Sequence, residues 1–342
     1  VGKSSPIQVG VATHWVKVFA SSSTLFAQKN DGTVWGVGST YSGIMGVGSS
    51  EGSPVQVGAL NTWLLPSAGD ASSYVVKNDG GLWSWGSNTS GQLGDGTVVT
   101  QSSPTQVGTL TNWAAAAGGH NYAVARKTDG SLWSWGLGTG GELGNSVKTT
   151  ISSPVQIGAL TDWGKIACGY NHTLVLKTDG SLWSWGINNV AALGDGTYVS
   201  KSSPIQLGSG TYWIDIATGI NTSFAIKNDG TVWGAGDASD GQFGGGTTSS
   251  PMQVGSLTNW EEISAGAYFS VALKTNKELW TWGYNTYGQL GDGGIINKGS
   301  PVQIGVLTNW LKISAGASHA HAIKSDGTLW AWGYTSAGQL GD

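Results

Sequence analysis

The sequence predicts an all-β fold: a seven-bladed β-propeller of four-stranded antiparallel blades. Three observations lead there. First, a tryptophan recurs at Trp15, Trp63, Trp113, Trp163, Trp213, Trp260 and Trp310, at intervals of 48, 50, 50, 50, 47 and 50 residues. Second, an Asp-Gly pair, the strongest short hairpin signal, follows in six of the seven units: Asp31-Gly32, Asp79-Gly80, Asp129-Gly130, Asp179-Gly180, Asp229-Gly230 and Asp326-Gly327. Third, the chain opens on SSPIQVG (4–10), the last strand of a unit, and stops at GQLGD (338–342), a unit without its last strand. Repeats of 40–50 residues holding four short strands are propeller blades. The complementary ends predict that strand 4–10 completes the seventh blade and closes the ring, where an open solenoid would need capping repeats.

The fourth unit shows how each element is read. Trp163–Gly169 is the first strand, ending at a glycine, and His172–Lys177 (HTLVLK) is the second. Thr178-Asp179-Gly180 makes the tight turn into Leu182–Gly186 (LWSWG), the third strand. A loop of some fifteen residues leads to Pro204–Gly208 (PIQLG), an outer edge strand where the missing proline N–H is harmless. In the sixth unit Asn276-Lys277 replaces Asp-Gly, so a looser turn is expected. In LWSWG the two tryptophans are two residues apart and share a strand face, so they are expected to fill the layers between blades. Burying each ring contributes about 4–6 kcal/mol gross as an upper bound. Seven opening tryptophans, seven after the turn and five more two residues on account for all 19.

Composition narrows the function classes. Glycine is 57 of 342 residues and charged residues are only 11%, so Ser, Thr, Asn and Gln supply the polar surface. The net charge is −4 and Arg126 is the single arginine. No basic patch points to nucleic acid, and no run of 18 apolar residues points to membrane insertion. The lone cysteine, Cys168, is expected as a small buried apolar group in a strand. The repeats form one domain over 1–342. Because the chain opens on the back half of a repeat, it is expected to be a piece of a longer polypeptide.

The pattern WxxIxAGxxHxxAxKxDGxLWxWGxNxxGQLGDGT…PxQVG, repeated over all seven units, resembles the repeat of the regulator of chromosome condensation family. The resemblance implies a seven-bladed propeller closed by strands from both chain ends. A nuclear member is a GTPase exchange factor that binds chromatin, but this sequence has neither a basic tail nor an inserted wedge loop. The plant ultraviolet-B photoreceptor of this fold uses tryptophans interleaved with arginines, which a single arginine cannot supply. In composition the chain is more similar to a secreted bacterial enzyme inhibitor of this fold and to bacterial and viral surface proteins.

No catalytic residues, cofactor or metal site are predicted. His172 and His319 fall at the family's histidine position, three residues after the glycine of the first strand, and read as strand-start residues near the axis. His319 and His321 alternate on one strand face and could hold a metal, but no acidic second shell lies nearby. The Gly-Asp-Gly segments (94–96, 194–196) lack the spacing of a calcium loop and read as turns with Asp accepting backbone N–H bonds. Specificity is expected where the repeats disagree. Tyr122, Tyr170, Asn171, Ile220, Asn221, Tyr268 and Phe269 are predicted around the axis, with Tyr41, Tyr198, Tyr284, Tyr287 and Tyr334 farther out on the same face. Tyrosine with Asn and Ser is the composition of adaptable recognition surfaces. The candidate partner-binding set is Tyr122, Tyr170, Asn171, Asn221, Tyr268, Phe269 and His319. The expected function is a non-enzymatic extracellular module, bacterial or viral, that binds a protein or glycan, within a surface or fibre assembly. A secreted enzyme inhibitor and a structural spacer are the alternatives.

Overall fold

The computed structural model describes residues 2–47, 52–58, 62–64 and 66–341. Their strands form seven four-stranded antiparallel sheets, each built from one repeat. In blade four the strands are Trp163–Cys168, His172–Lys177, Leu182–Gly186 and Lys201–Gln206, from the axis outward. The outermost strand starts three residues before the predicted Pro204, which therefore lies inside it. The register slips there, between the Ser184 and Gly186 pairings, so the proline sits at an irregularity on a free edge. Blade seven takes its outermost strand, Lys3–Gln8, from the start of the chain, pairing Ile7 with Ala331 and Gln8 with Trp330. The ring thus closes as the two chain ends predict; Val1 and Asp342 lie outside the described residues. Blade two departs from the pattern. Its innermost strand shrinks to Ser67–Ala68, with a single bridge between Trp63 and Lys77. Pro66 stands where other blades place an N–H donor. No helix among the described residues is long and apolar enough to cross a membrane.

The core lies between blades. Tyr122, Val124, Leu132, Leu143 and Ile157 of blade three pack on Trp163, Val175 and Trp185 of blade four. Trp185 is fully buried there and donates its indole N–H to the Glu142 carbonyl of blade three, 2.9 Å away. Trp183 has a second job on the turn side of the blade. It meets Trp163 edge to face at 5.6 Å, and the Lys177 ammonium lies over both rings at 4.5 and 4.7 Å. All seven blades repeat this sandwich, with Lys29, Lys77, Lys127, Lys177, Lys227, Lys274 and Lys324 between 3.5 and 5.7 Å from two tryptophan rings. The turn is wired to it: Asp179 accepts the Ser181 N–H, and Ser181 Oγ accepts the Trp183 indole N–H.

The Asn276-Lys277 turn of blade six keeps the bonding pattern of the other turns and is looser in part, as expected: the Lys274 N–H reaches the Glu278 carbonyl at 3.2 Å, against 2.9–3.0 Å for the matching bonds of the other six blades. Lys277 N–H donates to the Lys274 carbonyl at 2.8 Å, as Gly80 does to Lys77 at 2.9 Å, and Asn276 takes the aspartate's accepting role toward Glu278. The sandwich fixes both strand ends, so the lysine is forced into the left-handed region at φ 66°, where the other units use glycines at 77–83°. Its added Cβ has a visible effect on the linker. The bond from Trp310 N–H to the Lys277 carbonyl is 3.4 Å, against 3.0–3.1 Å from Trp15, Trp113, Trp213 and Trp260 to the matching glycines. Lys277→Gly is therefore expected to raise unfolding free energy by about 0.5–1 kcal/mol, net of the exposed Glu261 ion pair it removes. Urea denaturation of the two proteins measures this, and a destabilised variant would contradict it.

Candidate functional site

The innermost strands ring an axial channel of about 520 Å³ whose walls are mostly apolar, including Ala116, Ala167, Ile216 and Ile263, with Ser67, Thr218, Ser264 and Ser314 set among them. Glycines allow the ring to be this tight: a Cβ on Gly69 would lie 2.0 Å from the Gly119 carbonyl of the next blade. On what we term the upper face, each innermost strand ends and the chain turns back. One residue per blade then rims the mouth: Ser22, Asp70, His120, Tyr170, Ile220, Ala267 and Ala317. Backbone bonds stitch parts of this rim, from Asp70 N–H to Gly119 O, His120 N–H to Tyr170 O and Ala317 N–H to Ser22 O.

Three consecutive rim residues interact. Asp70 Oδ2 lies 3.1 Å from His120 Nδ1, and the Tyr170 ring stacks on the imidazole with centroids 4.0 Å apart and planes 18° from parallel. The Tyr170 hydroxyl is 3.1 Å from His120 Nε2. With the rings this parallel, the oxygen lies over the imidazole and not in its plane, so the contact is a π stack more than a hydrogen bond. The bond from His120 holds the Asp70 carboxyl below the usual carboxylate range, aided by Ser22 and opposed by burial. Burial, with Asp70 and Tyr268 nearby, raises the Tyr170 hydroxyl, so it is a protonated donor at neutral pH. At the opposite mouth the chemistry is ionic. Lys165 pairs with Asp215, whose other oxygen accepts the Ile263 N–H, and Lys312 pairs with Glu262 at 3.2 Å. Cys168 lines the wall between, and burial pushes its thiol up to about 12, leaving it unreactive.

Residues 67–342 match the model of the RCC1-like domain. The chain belongs to the RCC1-like domain family. Among solved structures, this RCC1-like chain is similar to human WBSCR16, at 20% identity over 96% of this chain and 89% of the other, with a TM-score of 0.81. Prp20p from Saccharomyces cerevisiae gives 20% identity, coverage of 93% and 82%, and a TM-score of 0.79. The CRINKLY WD40 ectodomain of the Arabidopsis thaliana receptor kinase ACR4 gives 14%, 94% and 96%, and 0.56. At these identities the likeness shows the fold. No curated protein matches the sequence.

The RCC1-like frame sorts the predicted site residues into three groups. Tyr170 and Tyr268 are exposed on the upper face as expected. Asn171 and Asn221 are half-buried, and their carbonyls accept Ile187 and Asp237 N–H groups that start the outer loops. Tyr122, Phe269 and His319 are a correction, because all three are fully buried and cannot touch a partner. Each is the first residue of a second strand, and that position faces the next blade. Tyr122 thus donates its hydroxyl to the His172 carbonyl across the junction. Asp70 and His120 were missing from the predicted set. The signal lies in aligning the first residue after the strand-one glycine, where Tyr170 also falls. Among the described residues no group of three or more metal-ligating side chains occurs, and Asp95 and Asp195 accept the Thr97 and Thr197 N–H groups as turn residues.

The buried histidines set a pH dependence. Burial lowers His172 to about 4 and His319 to about 3, and lowers His321 well below the usual range with His319 beside it. A base whose folded pKa is depressed stays neutral when folded and takes up a proton on unfolding. Its stability contribution is complete above the unfolded value of about 6.5 and is lost as pH falls toward 4 and 3. Each histidine adds a slope of up to about 1.4 kcal/mol per pH unit in that window. Urea denaturation at pH 7, 5.5 and 4.5 is expected to show this loss. His319→Phe, which copies Phe269 of blade six, is expected to reduce the slope by one proton; an unchanged slope would exclude His319 as a source.

Proposed function

We propose that this RCC1-like propeller is a non-enzymatic, extracellular recognition module that holds a protein partner at its upper mouth. The observation that carries this reading is the Asp70–His120–Tyr170 cluster. It joins an ionised acceptor, an imidazole and an aromatic face over an apolar bore, in a rim where blades otherwise alike carry different side chains. Concave sites with an apolar floor and a few convergent polar groups are where proteins bind ligands and partner side chains. The walls between blades are occupied by structural contacts, which leaves the mouth and outer loops to discriminate. Structural neighbours give the reading context. The Prp20p structure is described with its binding properties to Gsp1p and histones, and yeast RCC1 (Prp20) was solved bound to Kap60. The ACR4 neighbour is a receptor ectodomain, which supports an extracellular placement.

The rim side chains carry little of the fold, so they can be tested together. Asp70→Ala/His120→Ala/Tyr170→Ala is expected to melt within a few degrees of the parent. Capture of proteins from a cell-surface extract is expected to weaken about thirtyfold, as for a hot spot of about 2 kcal/mol. Equal capture by parent and variant would rule out the mouth as the binding site.

A further inference from the structure

Four of the ten tyrosines form an unbroken series of ring contacts on the upper face. Tyr268 meets Tyr284 at 6.3 Å, Tyr284 meets Tyr287 at 6.3 Å, and Tyr287 meets Tyr334 at 4.8 Å. The backbone explains the alignment. Tyr268 lies in the turn after the innermost strand of blade six, and its carbonyl accepts the Tyr284 N–H at 2.9 Å. Tyr284 and Tyr287 begin the outer loop of blade six, and Tyr334 begins the same loop of blade seven. The series therefore starts beside the mouth, runs outward and crosses a blade junction. Tyr268, Tyr287 and Tyr334 are 39%, 44% and 37% exposed. At the positions of Tyr284 and Tyr334 the other blades carry Ser39, Ser87, Leu137, Ile187 and Asp237, so no frame contact requires the rings.

The ring angles decide what fits. Successive planes are inclined by 71°, 71° and 49°, so the ladder presents edges and notches in place of one flat platform. A sugar chain stacks on broad faces lying in a common plane, and this surface does not offer one. A polyproline II helix presents ridges, with three residues per turn and a rise of about 3.1 Å, or roughly 9 Å per turn. Ring centroids 6.3, 6.3 and 4.8 Å apart give the ladder a length of at most about 17 Å, which five to six residues of such a helix cover. The hydroxyls suit the unpaired carbonyls of that helix, and its stiffness keeps the entropy of docking low. Thr286, Gly288, Thr335 and Ser336, the sequence neighbours of the rings, are uncharged, while Lys3 and Lys298 pair with Gly333 and Gly283 at the start of the two loops.

We infer that the Tyr268–Tyr284–Tyr287–Tyr334 ladder is a docking groove for a proline-rich segment of the protein partner in polyproline II conformation. This rests on the reading of the upper face as a protein-recognition surface and adds the chemistry of the segment it takes. The test is a fluorescence-anisotropy titration of the whole chain with fluorescein-labelled dodecaproline, beside calorimetry with cellohexaose and maltohexaose. Saturable dodecaproline binding is expected. Tyr287→Ala/Tyr334→Ala should weaken it at least tenfold, while Tyr198→Ala on another loop should change it less than twofold. Tyr287→Phe keeps the ring edges and should retain binding within about threefold. Absence of saturation at millimolar peptide, equal affinity in the double variant, or binding of a hexasaccharide in place of the peptide would overturn the assignment. Should the double variant not fold, tyrosine ring resonances of the parent decide: shifts confined to tyrosines outside the ladder would also overturn it. Loss of partner capture in the rim variant without dodecaproline binding removes the ladder alone. Dodecaproline binding with capture intact removes the rim alone.

Discussion

The structure depends on one hydrogen bond repeated around the ring, from a buried indole N–H to a carbonyl in the preceding blade's outer loop. Trp85 reaches Ile44, Trp135 reaches Gln92, Trp185 reaches Glu142, Trp282 reaches Gln242 and Trp332 reaches Gln289. A buried carbonyl left without a donor costs about 1–3 kcal/mol, so each junction must supply one. Two junctions lack the tryptophan, because blade one carries Val37 there and blade five carries Ala235. Neither carbonyl is abandoned. His321 Nε2, 3.0 Å away, serves Gln339 where blade seven meets blade one, and Ser223 Oγ serves Ala192 at 2.7 Å where blade four meets blade five. The bond to Gln339 fixes His321 as its Nε2–H tautomer, with burial keeping it neutral. The requirement is for a donor at that point, and tryptophan is the usual way to meet it because its ring also fills the layer.

The same economy explains why the turn side of each blade repeats so closely. The lysine ending the second strand lies between two tryptophan rings in every blade, and in five blades a Ser or Thr hydroxyl of the adjoining turn receives one of the indole N–H groups. Blade six puts the Glu278 carboxylate in that place, and blade two has Gly81 there. The upper face has no such coupling. Six of its seven rim residues follow a glycine, and all lie two residues before the buried strand-start residue, so their side chains enter neither a blade junction nor a sandwich.

This division governs what could be read from the sequence. Blade number, the three inner strands of blade four and the closure by residues 4–10 were legible because each follows from a repeated local pattern, while the outermost strand starts three residues before the predicted proline. The lysine sandwich was equally visible, in all seven units, but a strand-end lysine carries no signal of being buried until its tryptophans are placed. The facing of the second strand was not legible. Tyr170 comes one residue and Tyr122 three residues after the glycine that follows an innermost strand, and that difference of two decides whether a ring enters the mouth or the blade junction. Asp70, His120 and Tyr170 lie 50 residues apart in sequence, so their contact emerges only once the ring is closed.

A ring of seven identical blades would offer a sevenfold mouth, unable to orient an asymmetric partner. The chain breaks that symmetry only where the frame permits. Blades two to four place a carboxylate, an imidazole and a phenol on one arc of the rim. Blades six and seven carry a run of tyrosines outward from the opposite arc. Blade five between them gives Ile220 to the rim and Asp237 to its loop, and contributes to neither cluster. In the proposed role, two unlike clusters on one rigid face fix both the position and the rotation of the partner. Neither cluster includes the junction donors or the sandwich lysines, so binding can diverge without loss of the fold.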